Sequence, residues 1–218
     1  MPRIIKIIPL KRKKQILLEL EDGGPVTVQQ ETLVDFNLFP GMELPEEQYM
    51  EMLEHDRYKA AQTQAVRYLA RRSHSKKELE TKLLQKGFAG QVIRQVIAEL
   101  EEKKYLDDEA FLRSFIKDRL NFSRKGRNLI VQELLKKGFS REAAEDVLQE
   151  LIVPGEELEN ARFLVRKKWE TLLKKPQKQR IIKVKQHLIQ KGYPFKMVDK
   201  VVLELSDIEC DEPGDLEL

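Results

Sequence analysis

Apolar positions along the chain recur with two different periods. From about residue 60 onward they fall three and four residues apart, as on one face of an α-helix. The first 50 or so residues instead hold short β-branched and aliphatic runs, IIKIIPL and QILLELEDGGPVTV, divided by KRKK and by Asp22-Gly23-Gly24-Pro25. These runs predict a β-hairpin followed by a brief turn or helix around Leu33 to Phe36. A hairpin alone is marginal in water, so it must pack on the first helices or on a third strand, for which Met42 to Leu44 after the LFPGMEL turn is the expected position.

The helical part writes one phrase three times. LLQKGF, LLKKGF and LIQKGY end at Phe88, Phe139 and Tyr193. A glycine after a run of helix formers is where a right-handed helix most easily stops, so Gly87, Gly138 and Gly192 are predicted to be left-handed caps. The aromatic that follows then folds back, Phe88 on Leu83, Phe139 on Leu134 and Tyr193 on Leu188. Downstream, GFAGQVIRQVIAEL, GFSREAAEDVLQEL and GYPFKMVDKVVLEL align without a gap and carry the same stripe: Val92, Ile93, Val96, Ile97 and Leu100 in the first copy. Upstream, SKKELETKLLQKGF opens with the capping box Ser75 and Glu78 and directs Leu79, Leu83 and, at the edge of that face, Leu84 inward.

A first helix precedes each pair, over roughly 60–70, 108–120 and 157–173, the middle one introduced by YLDDEAF with Asp107 or Asp108 as N-cap. The predicted organisation is mainly α: an N-terminal β-hairpin region (1–55), three-helix repeats over 56–106, 107–153 and 154–205, and an acidic tail (206–218). Bends are expected at Pro154-Gly155 and at Lys174 to Pro176.

Composition narrows the function classes. With 41% hydrophobic and 35% charged residues, the chain reads as small-cored, heavily solvated helical modules. Its apolar runs are too short for a membrane span, and Lys6 and the Lys11 to Lys14 run break the N-terminal ones, so a cytoplasmic monomer without membrane contact is expected. A single cysteine, Cys210, excludes an internal disulfide. His55, His74 and His187 lie in distant segments at surface or boundary positions, without metal-ligand spacing or a nucleophile and base pair. The glycines of EDGGPV lack the flanking strand, lysine and helix of a phosphate site. Neither catalysis nor a metal nor a cofactor is expected.

The net charge of +3 hides a segregation. Residues 161–196 carry twelve Lys or Arg against the single acid Glu170, whereas 206–218 carry six acids and no base. Like charges crowded on one small helical unit repel unless a partner offsets them, which points to an anionic partner and to a tail that mimics it and folds over the basic face. The aromatics Tyr105, Phe111, Phe115, Phe163 and Trp169 lie in amphipathic runs and are expected in the core. Phe122, beside the SRKG break, is the aromatic whose exposure would bear on base stacking.

YLARRSHSKKELETKLLQKGF (68–88), YLDDEAFLRSFIKDRL (105–120) and SRKGRNLIVQELLKKGFSRE (123–142), in that order, resemble the successive signature stretches of the bacterial RecX recombination regulators. QRIIKVKQHLIQKGY (179–193) matches more loosely, and the hairpin region resembles an extension of the longer members. The resemblance implies an elongated, curved row of three-helix units that binds the RecA recombinase and its filament on single-stranded DNA. Such a protein would lodge in the filament groove and suppress strand exchange, ATP hydrolysis and repressor self-cleavage, within DNA repair and the SOS response. The basic residues expected to meet the partner are Arg71, Arg72, Lys76 and Lys77; Arg113, Lys117, Arg119, Arg124, Lys125 and Arg127; and Arg166, Lys167, Lys168, Lys183 and Lys185. Arg72 and SRKG fit the family pattern best, while the third-repeat lysines rest on charge alone. Paired helices joined through a Gly turn also build helix-turn-helix modules, so a tandem DNA-binding protein remains the alternative reading, with weak direct DNA contact by repeats 1 and 3. The acidic SREAAEDVLQEL helix argues against base readout by repeat 2. A plain interaction scaffold with an unrelated partner is the third reading.

Overall fold

A computed structural model describes residues 1–10 and 14–210. The backbone forms two compact units, one over Met1–Asp107 and one from Asp108 onward.

The first unit opens with an antiparallel sheet of three strands in the order β1 (Ile4–Leu10), β2 (Gln15–Leu20), β3 (Val26–Gln29). The alternation in QILLEL buries Ile16, Leu18 and Leu20 on one face, where they meet Ile4, Val28 and Leu44. The single expected hairpin is thus two, because Asp22 to Pro25 turns the chain into a third strand. Met42 to Leu44 is not that strand: it adds one isolated bridge, Arg3 to Glu43, with Ile4 N–H donating to Met42 O (2.9 Å).

Helix α1 (Gln30–Asp35) follows β3, and the side chain of Asp56 secures the junction by accepting from Gln29 N–H (2.5 Å) and from the Thr32 hydroxyl (2.8 Å). Asp56 belongs to α2 (Glu46–Leu69), which starts well before the expected residue 60 and crosses the expected boundary at 55. The early start has a local cause. Pro45 takes the N-cap position with Glu46 and Glu47 in the first turn, and Met52 is buried against the sheet while Ala61 and Ala65 of the same helix are buried in the first repeat. α3 (Lys76–Gln85) and α4 (Gly90–Glu102) complete that repeat around Leu79, Leu83, Ile93, Val96 and Leu100. Ser75 Oγ accepts from Glu78 N–H (3.2 Å), as the capping box requires, whereas Leu84 faces solvent.

The second unit holds two repeats, α5 (Asp108–Asn121), α6 (Arg127–Lys136) and α7 (Arg141–Leu151), then α8 (Glu156–Glu170), α9 (Gln177–Gln190) and α10 (Phe195–Cys210). Each has its own core, with Phe111, Phe115, Ile116, Ile130 and Leu134 in one and Val165, Trp169, Val184, Leu188 and Val201 in the other. α10 runs five residues beyond the expected start of the tail; residues 211–218 of that tail lie outside the described residues. Two aromatics expected in the core are elsewhere. Tyr105 is largely exposed in the turn after α4, and Phe163 is half-exposed beneath a guanidinium.

All three KG endings close alike. Phe88, Phe139 and Tyr193 N–H donate to Leu83, Leu134 and Leu188 O at 3.1 to 3.3 Å, and the glycines stand at φ of 85, 93 and 89°. The third does something more. Gly192 lies against Gly126, the N-cap of α6, where Gly126 N–H donates to Lys191 O (2.8 Å) and Asn128 N–H to Gly192 O (3.1 Å). A Cβ on Gly126 would sit 2.5 Å from the Gly192 carbonyl, and one on Gly192 would sit 2.4 Å from Leu129.

Gly126 has φ −74°, which suits any residue, so alanine there would be neutral or stabilising if the contact did not matter. Gly126→Ala is expected instead to lower the unfolding free energy by about 2 kcal/mol or more, as forced overpacking does. Equilibrium denaturation checks this; an unchanged or raised midpoint would contradict the steric role.

Candidate anion-binding face

The basic residues separate into those the fold consumes and those it leaves open. Gly126 brings no capping side chain, so the free N–H groups at the start of α6 are met by the third repeat. Besides the two glycine bonds, Arg127 N–H donates to Glu157 Oε1 (3.1 Å) and Arg127 Nε to Glu157 Oε2 (3.2 Å). Glu157 is buried, so this carboxylate is a cap and not a surface charge. Arg124 holds a left-handed φ of 44°, which costs a non-glycine residue about 1 kcal/mol. Three contacts offset that cost: its guanidinium lies over Phe163 (3.7 Å), Nε donates to Asn160 (3.0 Å), and its carbonyl accepts from the Tyr193 hydroxyl (2.9 Å). The tyrosine of LIQKGY, where the other copies have phenylalanine, thereby has a reason, and burial raises its phenol pKa well above the ordinary value.

Arg119 (2.8 Å) and Lys125 both pair with Glu133. Burial opposes ionisation of that carboxyl, yet the two cations hold its pKa below the ordinary value. Arg113 bridges Glu109 and Glu150. In the first unit Arg72 pairs with Glu78 (3.1 Å), Lys76 with Glu101 and Lys77 loosely with Glu80 (3.5 Å), while Arg71 is exposed. His74 is buried and not at the surface. Its Nδ1 must carry the proton, because it lies 2.8 Å from the Arg72 carbonyl, which can only accept; burial keeps the ring's pKa low.

The third repeat is different. Among the described residues, Arg166, Lys167, Lys168, Lys174, Lys175, Lys178 and Lys183 of α8, α9 and their connection have no ion-pair partner, whereas Arg162 pairs with Glu159 and Glu204, and Lys185 with Asp199 (2.7 Å). Lys117 on α5 is likewise open. Lys174, Lys175 and Lys178, exposed in the connection and the first turn of α9, extend this face beyond the residues expected from the sequence, within the same run of positive charge over 161–196. His187 reports the local field: burial first, then Lys168 and Lys191, push its pKa below the ordinary imidazole value. Phe122 is 85% exposed at the end of α5.

A groove of about 580 Å³ opens beside the joint. Its floor is Ile152, Pro154, Leu158, Pro194 and Met197, and Arg127, Lys196 and Lys200 line it with Glu157 and Gly155. Among the described residues no group of His, Cys, Asp or Glu could hold a metal ion, and no helix is long and apolar enough to cross a membrane.

Family models describing the first, second and third three-helix domains of RecX match residues 61–100, 107–148 and 155–202. The chain belongs to the RecX family. Regulatory protein RecX of Oceanobacillus iheyensis is 30% identical over 96% of this chain and 79% of its own length, and that of Clostridioides difficile 28% identical over 94% and 97%. A crystal structure of regulatory protein RecX superposes with TM-score 0.65 at 26% identity, covering 92% of this chain and 98% of the other. That of RecX from Lactobacillus salivarius gives 0.60 at 26% identity, covering 70% and 98%. A family of regulators, made of tandem three-helix domains, therefore frames the basic face.

If the third-repeat face takes an anion, the pKa of His187 should rise when a short single-stranded oligonucleotide binds at low salt, because phosphate offsets Lys168 and Lys191. An NMR titration of the imidazole checks this. Oligonucleotide bound with the His187 titration unmoved would place the anion elsewhere.

Proposed function

We propose that this RecX-family chain is a non-catalytic cytoplasmic regulator that binds RecA and its filament on single-stranded DNA. It acts as a monomer, occupies the filament groove, and inhibits strand exchange, ATP hydrolysis and co-protease activity. The observation that carries the reading is the split among its cations. Arg113, Arg119, Lys125 and Arg127 of the second repeat are tied to Glu150, Glu133 and Glu157, whereas Arg166, Lys167 and Lys183 stand open to solvent on α8 and α9, with Lys168 half-buried beside them. Open cations close together attract a negatively charged surface and give up little to bind it, while paired ones must first break a bond. The partner-facing surface is accordingly the third repeat, and the second repeat is the frame that carries it.

Direct DNA binding is the competing account. It is weakened in the second repeat by Glu142, Glu145, Asp146 and Glu150, all exposed on α7.

The test is ATP hydrolysis by RecA filaments on single-stranded DNA titrated with this protein at two salt concentrations, with binding to free DNA followed in parallel. Inhibition is expected well below the concentration that coats the DNA, and it should weaken with salt. Reversing Arg166, Lys167 and Lys183 to glutamate should raise the half-inhibiting concentration about tenfold or more, equivalent to ~1.4 kcal/mol of binding. Lys117→Glu should change it less. Inhibition only at DNA saturation would favour the DNA-binding account instead.

A further inference from the structure

The groove beside the joint has a floor and a rim of different chemistry. Ile152, Pro154, Leu158, Pro194 and Met197 make the floor, and the rim carries Arg127, Lys196 and Lys200 against the one acid Glu157. Three cations against one carboxylate leave a net +2, and that carboxylate is buried and already engaged at the start of α6. Lys196 and Lys200, one turn apart on α10, are exposed and have no ion-pair partner among the described residues. Glu204, a further turn along, feels Lys200 but is held by Arg162 (2.8 Å). The groove shares no residue with the open cations of α8 and α9, so it is a second surface.

The lining also selects among occupants. It has no aromatic face and no amide side chain, so a nucleobase finds neither a stacking partner nor a matching edge. A phosphate backbone would meet the rim and leave the apolar floor uncovered. A cube of about 580 Å³ is ~8 Å on a side, narrower than the ~10 Å of an α-helix with its side chains, so extended chain fits better than a helix. In extended chain successive side chains point to opposite sides, which lets carboxylates meet the lysines while the residues between them cover the floor.

We propose that this groove binds an extended acidic segment of a partner protein in which aliphatic side chains alternate with carboxylates. The floor is preformed. Pro154 and Pro194 stiffen its backbone, and the bonds from Gly126 and Asn128 to Lys191 and Gly192 fix the two repeats that supply its walls. A bound segment lies between Ile152 of the second repeat and Met197 of the third, and so ties the two together.

The test needs neither RecA nor DNA and so stands apart from the functional reading. Met197 is the one methionine of the second unit, since Met1, Met42, Met50 and Met52 all lie in the first. The full chain, labelled at its methionine methyls, is titrated by NMR with a short synthetic peptide of leucine alternating with aspartate or glutamate. The Met197 methyl resonance is expected to shift saturably while the other four stay still, and salt should weaken the binding without abolishing it, because the contact with the floor is not screened. Replacing Lys196 and Lys200, both exposed, with glutamate should weaken it about tenfold or more. Serine for each leucine of the peptide should abolish the shift. Peptide bound with Met197 unmoved, a shift that survives the serine replacement, or no binding at low salt would each overturn the proposal. So would a Met197 shift produced by a single-stranded oligonucleotide and not by the peptide, which makes the groove a nucleic-acid site, or one that follows protein concentration alone, which makes it a contact between copies.

Discussion

The backbone of Gly192 pressed against the backbone of Gly126 is the contact on which the second compact unit depends. An α-helix begins with N–H groups that have no partner inside it, and α6 begins at a glycine with no side chain to supply one. The third repeat supplies the acceptors: the carbonyls of Lys191 and Gly192 at the closing end of α9, and the buried carboxylate of Glu157. The negative end of one helix thus meets the positive end of another, with a carboxylate beside them. The approach is close enough that neither glycine has room for a methyl group, so what reads as a basic RKG motif is first a fitting between repeats.

From this fitting follows the distribution of charge. Arg124 and Arg127 flank Gly126, and both are drawn inward, one over Phe163 and onto Asn160, the other onto Glu157. Lys125 and Arg119 converge on Glu133. Exposed ion pairs contribute little stability each, but these are half-buried and hold their side chains in place, away from a partner. With these four cations held in this way, most of the uncompensated positive charge of the second unit lies on α8, α9 and their connection. A regulator that makes no covalent change can act only through where it sits, and the open charge decides which surface sits on the partner.

What could be read from sequence was whatever depends on neighbours. The KG endings were legible because a glycine cap and the aromatic after it act within six residues, and Ser75 with Glu78 within four. The start of α2 was not, because its first half packs Met52 on the sheet and its second half packs Ala61 in the repeat, so no single stripe runs through it. The fate of the cations was illegible for a related reason: Arg127 finds its partner 30 residues away and Arg162 finds Glu204 at 42. One signal was available and passed over. A glycine at a helix N-cap, in a chain that uses Ser75 and Ser140 for the same task elsewhere, asks what else caps that helix.

Hydrogen exchange of the full chain, alone and bound to RecA filaments on single-stranded DNA, tests most directly which repeat meets the partner. The account predicts slowed exchange across α8, α9 and their connection, with Gly126 and Asn128 amides equally slow in both states because the joint already holds them. Slowed exchange confined to α5 and α6, with the third repeat unchanged, would contradict it.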